Sequence, residues 1–173
     1  MAPSPSASVT AGETGSPAAT PTADPLTLAQ GSGGPGLEYE LKLVPGDPVC
    51  VQLRRLEEAG DFMICDENSE QDFNGDDDLR YAFGGLNPEQ VPKFVIGITD
   101  EKVARVVVNL AEGPSPEVAT LSSTEVPDRR FFVVMLNPDP PQHVQAVRGL
   151  DAGGKTVAGF SLGEEGPSPL PTG

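Results

Sequence analysis

The chain has 173 residues, 26 of them acidic and 11 basic, with a formal net charge of -15. That length has room for one domain of ordinary size. Nucleic acid and anionic membrane surfaces both need clustered Lys and Arg, which this balance excludes; one histidine and two cysteines cannot assemble a structural zinc set, and no apolar run approaches the roughly 18 residues of a transmembrane helix.

The first 36 residues are mostly Ala, Pro, Ser, Thr and Gly, with Glu13 and Asp24 their only charges. Such a segment buries too little apolar surface to offset the entropy of ordering its backbone. We expect a disordered arm over 1–25, a folded domain over 26–163 and a disordered tail, EEGPSPLPTG, over 164–173. If LTLAQ is not the first strand, the domain begins at Gly36 instead. The N-terminus lacks the basic and apolar regions of a signal peptide. A Pro/Ala/Ser/Thr stalk commonly links an export signal or anchor to an external domain, so Met1 is read as the initiator of a shortened chain.

From Leu26 onward, short apolar runs alternate with turn signals. LTLAQ is followed by LEYELKLV, in which Leu37, Tyr39, Leu41 and Leu43 fall at period two. VCVQLRRL repeats the alternation through Val49, Val51 and Leu53, and FMIC follows. LRRLEEAG is the one helix-like piece, too short to be stable alone. Beyond an acidic stretch come LRYAF, KFVIGI, a turn at TDEK, VARVVVNL, VATLSS and RRFFVVML, the most apolar run. HVQAVRGL and KTVAGFSL flank the Gly-rich turn DAGG. The 19 prolines and 20 glycines fall mostly between these runs. The pattern predicts an all-β fold, an antiparallel β-sandwich of immunoglobulin-like or related type. Its core should include Val51, Leu53, Val95, Val106, Val108, Phe132, Val134, Val147 and Val157.

Cys50 and Cys65 are read as a disulfide closing a 14-residue loop between neighbouring strands. A reactive thiol and a pair of buried thiols are the alternatives. The bridge would add about 3 kcal/mol in the chain-entropy model and fits an oxidising compartment.

Several of these runs carry a resemblance. LTLAQG, LEYELKLV, CVQLRR, VIGITDEKVARVVVNL, RFFVVML and VQAVRGLDAGGKTVAGF resemble a group of small actinobacterial extracytoplasmic domains. Some of that group sit outside the membrane on anchored, anti-sigma-factor-like regulators. The clearest parts are Val95 to Val108 and the hairpin ending near residue 160. The resemblance implies a β-sandwich on the outer side of the membrane and carries over no catalytic residues. The chain departs from the group in its long acidic stretch and in showing no anchor.

Two motifs match a pattern without its context. GLDAGGKT, Gly149 to Thr156, fits GxxxxGK[ST], but a phosphate loop must open a helix and VAGFSLGEEGPSP follows instead. GFSLG, Gly159 to Gly163, fits GxSxG, yet the only histidine, His143, precedes it and no helix can follow. No catalytic residues are assigned, and the chain is not expected to be an enzyme.

Asp66 to Asp78 holds seven carboxylates: Asp66, Glu67, Glu70, Asp72, Asp76, Asp77 and Asp78. Within it Asp72, Asn74, Asp76 and Asp78 alternate around Gly75, a spacing that suits calcium, which takes six to eight oxygens. The EF-hand register fails, with Asp77 where glycine should stand and Phe83 in place of the closing glutamate. We read the stretch first as a solvated loop, with calcium binding, a patch for a protein partner and carboxylate catalysis as the alternatives. Glycosidase chemistry would want aromatic platforms, and the chain has no Trp and two Tyr.

The expected function is a non-catalytic secreted or cell-surface binding or adaptor module, of the kind that serves as one subunit of an extracellular assembly. A sensory ectodomain of a membrane-anchored envelope regulator and a calcium-dependent module are the alternatives. The partner would be a protein, met through the acidic face or through the arm, whose ADPLTLAQ segment could add a strand to an exposed sheet edge.

Overall fold

The alternating runs become strands, thirteen among the described residues. The computed structural model describes residues 24–34, 38–56, 61–66, 79–84, 93–137, 142–163 and 166–172. The strands are β1 (Leu26–Ser32), β2 (Glu38–Val44), β3 (Cys50–Arg55), β4 (Asp61–Cys65), β5 (Leu79–Gly84), β6 (Phe94–Asp100) and β7 (Arg105–Leu110). They continue as β8 (Glu117–Ala119), β9 (Leu121–Ser122), β10 (Arg129–Met135), β11 (Val144–Leu150), β12 (Thr156–Gly163) and β13 (Gly166–Pro169). Every pairing is antiparallel. The helix-like LRRLEEAG does not become a helix where it is described. Leu53 to Arg55 belong to β3, because Leu53 packs inward at period two, and 57–60 lie outside the described residues.

The strands form three sheets, with orders β1-β2-β3-β4, β5-β6-β10-β9 and β13-β12-β11-β7-β8. The sandwich therefore has a third layer, and the sheet containing β6 and β10 is its middle. One core packs Val95, Phe132, Val134 and Leu136 against Val106, Val108, Val147, Ala158 and Phe160 of the five-stranded sheet. The other packs Phe94, Ile96, Ile98, Phe131 and Val133 against Leu41, Leu43, Val51, Leu53 and Ile64 of the first sheet. A strand covered on both faces reads as a continuous apolar run rather than an alternating one. That is the physical reason for KFVIGI and RRFFVVML.

All the expected core residues are buried except Val157, which packs partly buried at the edge of its cluster. Among the described residues Tyr81 is the largest fully buried side chain, its ring 5.9 Å from that of Phe160. Burial pushes its phenol up to about 12, above the ordinary 10.0. The folded state then holds a proton that the unfolded chain releases. Stability contributed by the neutral phenol is intact below about pH 10 and is lost as pH rises towards about 12. An ultraviolet titration of the two tyrosines should show one ionising only with unfolding, and two early ionisations would refute the burial effect.

Two departures from the expected strand map have local causes. VATLSS is split at Thr120, where the chain leaves the five-stranded sheet for the middle one. The Thr120 hydroxyl lies 2.8 Å from the carbonyl of Val103 and 3.1 Å from that of Ala104, and its N–H donates to Ala104. Thr120→Val should cost about 1 kcal/mol in a denaturant melt, the net worth of such a bond.

The tail expected to be disordered instead supplies β13, which pairs with β12. Leu170 N–H donates to Gly159, so at period two Gly166 and Ser168 turn their backbone towards β12. Pro167 and Pro169 then face outward, where a missing N–H breaks no bond. A proline-rich segment can be a strand only on such an edge.

The DAGG turn forms as expected, with strands on both sides. Asp151 Oδ1 accepts the N–H groups of Gly153 and Lys155, each at 2.9 Å, and Gly154 takes φ +86°. GLDAGGKT is thus a strand end, a turn and a strand start, and GFSLG lies within β12.

Candidate functional site

Asp66, the first residue of the acidic stretch and the one described, lies at the end of the core between the first and middle sheets. Cys50 and Cys65 stand directly opposite each other on β3 and β4, with Cα atoms 4.0 Å apart, and are bonded as a disulfide. Among the described residues there is no free cysteine. One residue further, Asp66 N–H donates to Val49 at 2.8 Å, which extends the β3–β4 ladder by a step.

The Asp66 side chain turns to the middle sheet. Arg129 Nε donates to its Oδ2 at 2.6 Å, and Arg80 Nε lies 3.1 Å from its Oδ1, an ion-pair contact. Arg80 follows Leu79, so Asp66 and Arg80 stand on either side of the acidic stretch. Arg129 comes from the start of β10, opposite Asp100 on β6, and its Nη1 also lies 3.6 Å from Asp128. The hydrogen bond to Asp66 holds the Arg129 guanidinium above its ordinary range, outweighing the opposing effect of burial; the charges of Asp66, Asp128 and Asp100 add to it.

This arrangement is a strut between two sheets. Both oxygens of Asp66 face guanidinium groups. Asp66→Ala removes the carboxylate that both partly buried guanidinium groups contact. The expected loss is about 2 kcal/mol in a urea melt, within the range for charged hydrogen bonds. No change would mean that the strut is solvated.

At the opposite end of this core Phe94 closes the gap. Its ring meets Phe62 edge-on at 5.3 Å and carries the Arg55 guanidinium 5.5 Å above it. The outer face of the first sheet is polar. Glu40 accepts from Thr27 at 2.9 Å and from Gln30 at 3.2 Å, and pairs with Lys42 at 3.2 Å. These bonds, Thr27's first, lower the Glu40 carboxyl below its usual range.

Of the residues singled out for chemistry, the structure brings Cys50 and Cys65 together. Asp72, Asn74, Asp76 and Asp78 lie outside the described residues. Among those described, no group of three or more His, Cys, Asp or Glu is placed to hold a metal, and no helix is long and apolar enough to cross a membrane. His143 is exposed just before β11, where its carbonyl accepts from Ala111. Arg80 and Arg129 were not singled out. Arg129 meets Asp66 across 63 residues of sequence, so only the fold makes them neighbours.

Comparison with protein families, with curated proteins and with solved structures returned no match.

Proposed function

We propose that this chain is a non-catalytic, secreted or cell-surface binding module whose acidic stretch recruits a basic protein partner. The carrying observation is the anchoring at either side of that stretch. Cys65 is bonded to β3, and Asp66 is held between Arg80 and Arg129. Seven carboxylates in thirteen residues are costly to gather unless a cation or a basic surface offsets their repulsion. The disulfide supports an oxidising compartment, where such bonds persist.

The defined probe is a fluorescent oligolysine peptide. It should bind at low salt and weaken steeply towards physiological ionic strength, as charge-driven contacts do. The triple change Asp72→Asn, Asp76→Asn and Asp78→Asn should reduce that binding, and an unchanged affinity would sink the reading. A melting temperature raised by calcium, and lost in Asp76→Asn, would make a cation the ligand instead. The compartment is tested separately, by alkylating the chain directly on lysis of the cells that make it. Two free thiols there would argue against export.

A further inference from the structure

We propose that two copies of this chain associate through β1, strand against strand in antiparallel sense about a two-fold axis, joining their four-stranded sheets edge to edge. The proposal is independent of the acidic stretch and of its partner.

Edge strands expose unpaired N–H and C=O groups, and folded proteins blunt them with prolines, charges, brevity or a cover. The other edges here are managed in those ways. β13 turns Pro167 and Pro169 outward. β8 and β9 have three and two residues. β4 opens on Asp61 and ends at the disulfide, and β5 carries Arg80. Among the described residues β1 has one such device, a bulge at Leu28, and beyond it the edge from Ala29 to Ser32 is regular. Its seven residues, LTLAQGS, contain neither charge nor proline.

The backbone of β1 can be followed group by group. Leu56 N–H donates to Glu38, so the even-numbered residues of β2 bond to β3 and the odd-numbered ones to β1. Tyr39 and Leu41 pair with Gly31 and Ala29. Gln30 and Ser32 therefore point their N–H and C=O groups away from the sheet. A bulge at Leu28 shifts the register between Thr27 and Ala29, which leaves the regular pairing edge at the Ser32 end.

A second copy fits this edge better than an unrelated strand does. Two-fold pairing about Gly31 sets Gln30 of each copy opposite Ser32 of the other. Each such pair exchanges both of its bonds, about four in all. The same strand serves both sides, so no further sequence is required. Charge opposes self-association in general and so selects which edge could serve it. Two chains of -15 repel each other, and β1 is the only described edge strand longer than two residues with no charge or proline to oppose its own copy. A basic partner would gain nothing from an uncharged strand.

The test is sedimentation equilibrium of the whole chain over a wide concentration range, at low and at moderate salt. A monomer–dimer equilibrium is expected, and it should strengthen with salt as the residual repulsion is screened. Gln30→Pro removes an outward N–H while the ladder to β2 stays intact, so it should abolish the dimer; Gln30→Ala should keep it. Thermal melts report whether each variant folds. Ser32→Pro, at the strand end, serves if Gln30→Pro does not fold. A wild-type monomer at every concentration and salt overturns the proposal. So does a dimer that survives both proline variants, which would place the contact elsewhere.

Discussion

Phe132→Ala should destabilise the chain by about 3–5 kcal/mol, read as a lower urea midpoint with an unchanged slope. Phe132 lies in the middle of β10, fully buried, on the face of the middle sheet that meets the five-stranded one. Its ring lies over Gly97 of β6, directly opposite in the ladder. A Cβ at position 97 would fall 2.1 Å from Phe132 Cε1 and 2.6 Å from the carbonyl oxygen of Arg80. Glycine is what lets the ring reach the backbone there. Removing the ring leaves a hole bounded by sheet backbone on one side, which relaxes poorly.

The converse substitution makes the argument sharper. Gly97→Ala should itself destabilise, because both the ring and a main-chain oxygen must move. Combining it with Phe132→Ala removes only the first conflict, so the double variant should remain well below the native chain. A double variant as stable as Phe132→Ala alone would show that the carbonyl of Arg80 yields easily.

Removing the bridge with Cys50→Ala and Cys65→Ala together should cost about 3 kcal/mol, the chain-entropy value for a loop of this length. The two cysteines lie on the outer face of the first sheet, with Gln52, Arg54 and Met63. Cys50 is buried but, like Cys65, belongs to neither core cluster, so the cost measures chiefly the freed unfolded chain. Hydrogen exchange should rise first in β4, an edge strand of five residues. Reducing agent should reproduce both effects in the native chain and do nothing to the variant. A loss well under 1 kcal/mol would mean that the denatured chain already keeps the two strands close.

Much of the strand map was legible in the sequence because period-two alternation and Gly/Pro punctuation are local signals. Leu41, Leu43, Val51 and Leu53 alternate cleanly because, among the described residues, one face of their sheet packs into the core while the other carries Glu40, Lys42, Gln52 and Arg54. The third layer was less legible. Phe131 to Val134 announce burial on both faces through continuous apolarity, but such a run does not say what covers each face. β13 was missed because a proline-rich tail has the composition of disorder, and only its neighbour β12 makes it an edge. At the candidate site the disulfide could be read from spacing and from the strands between. The strut could not, since Arg129 looks like any charge at a strand start until the first sheet is laid over the middle one.

The stacking of layers has a consequence for how the molecule comes apart. The first sheet is built from one continuous piece of chain, β1 through β4, each strand paired to the next. The middle and outer sheets are interleaved: the chain passes between them at Val103, at Thr120 and again after Met135. Those two layers cannot separate without dissolving each other, whereas the first can lift away as a unit. The molecule thus has a detachable cover and an indivisible body. The cover folds from near neighbours, and what it protects is a stripe made of Phe94, Ile96, Ile98, Phe131 and Val133. Whenever the cover opens, that stripe faces water, and the middle sheet becomes a sticky surface for whatever lies nearby.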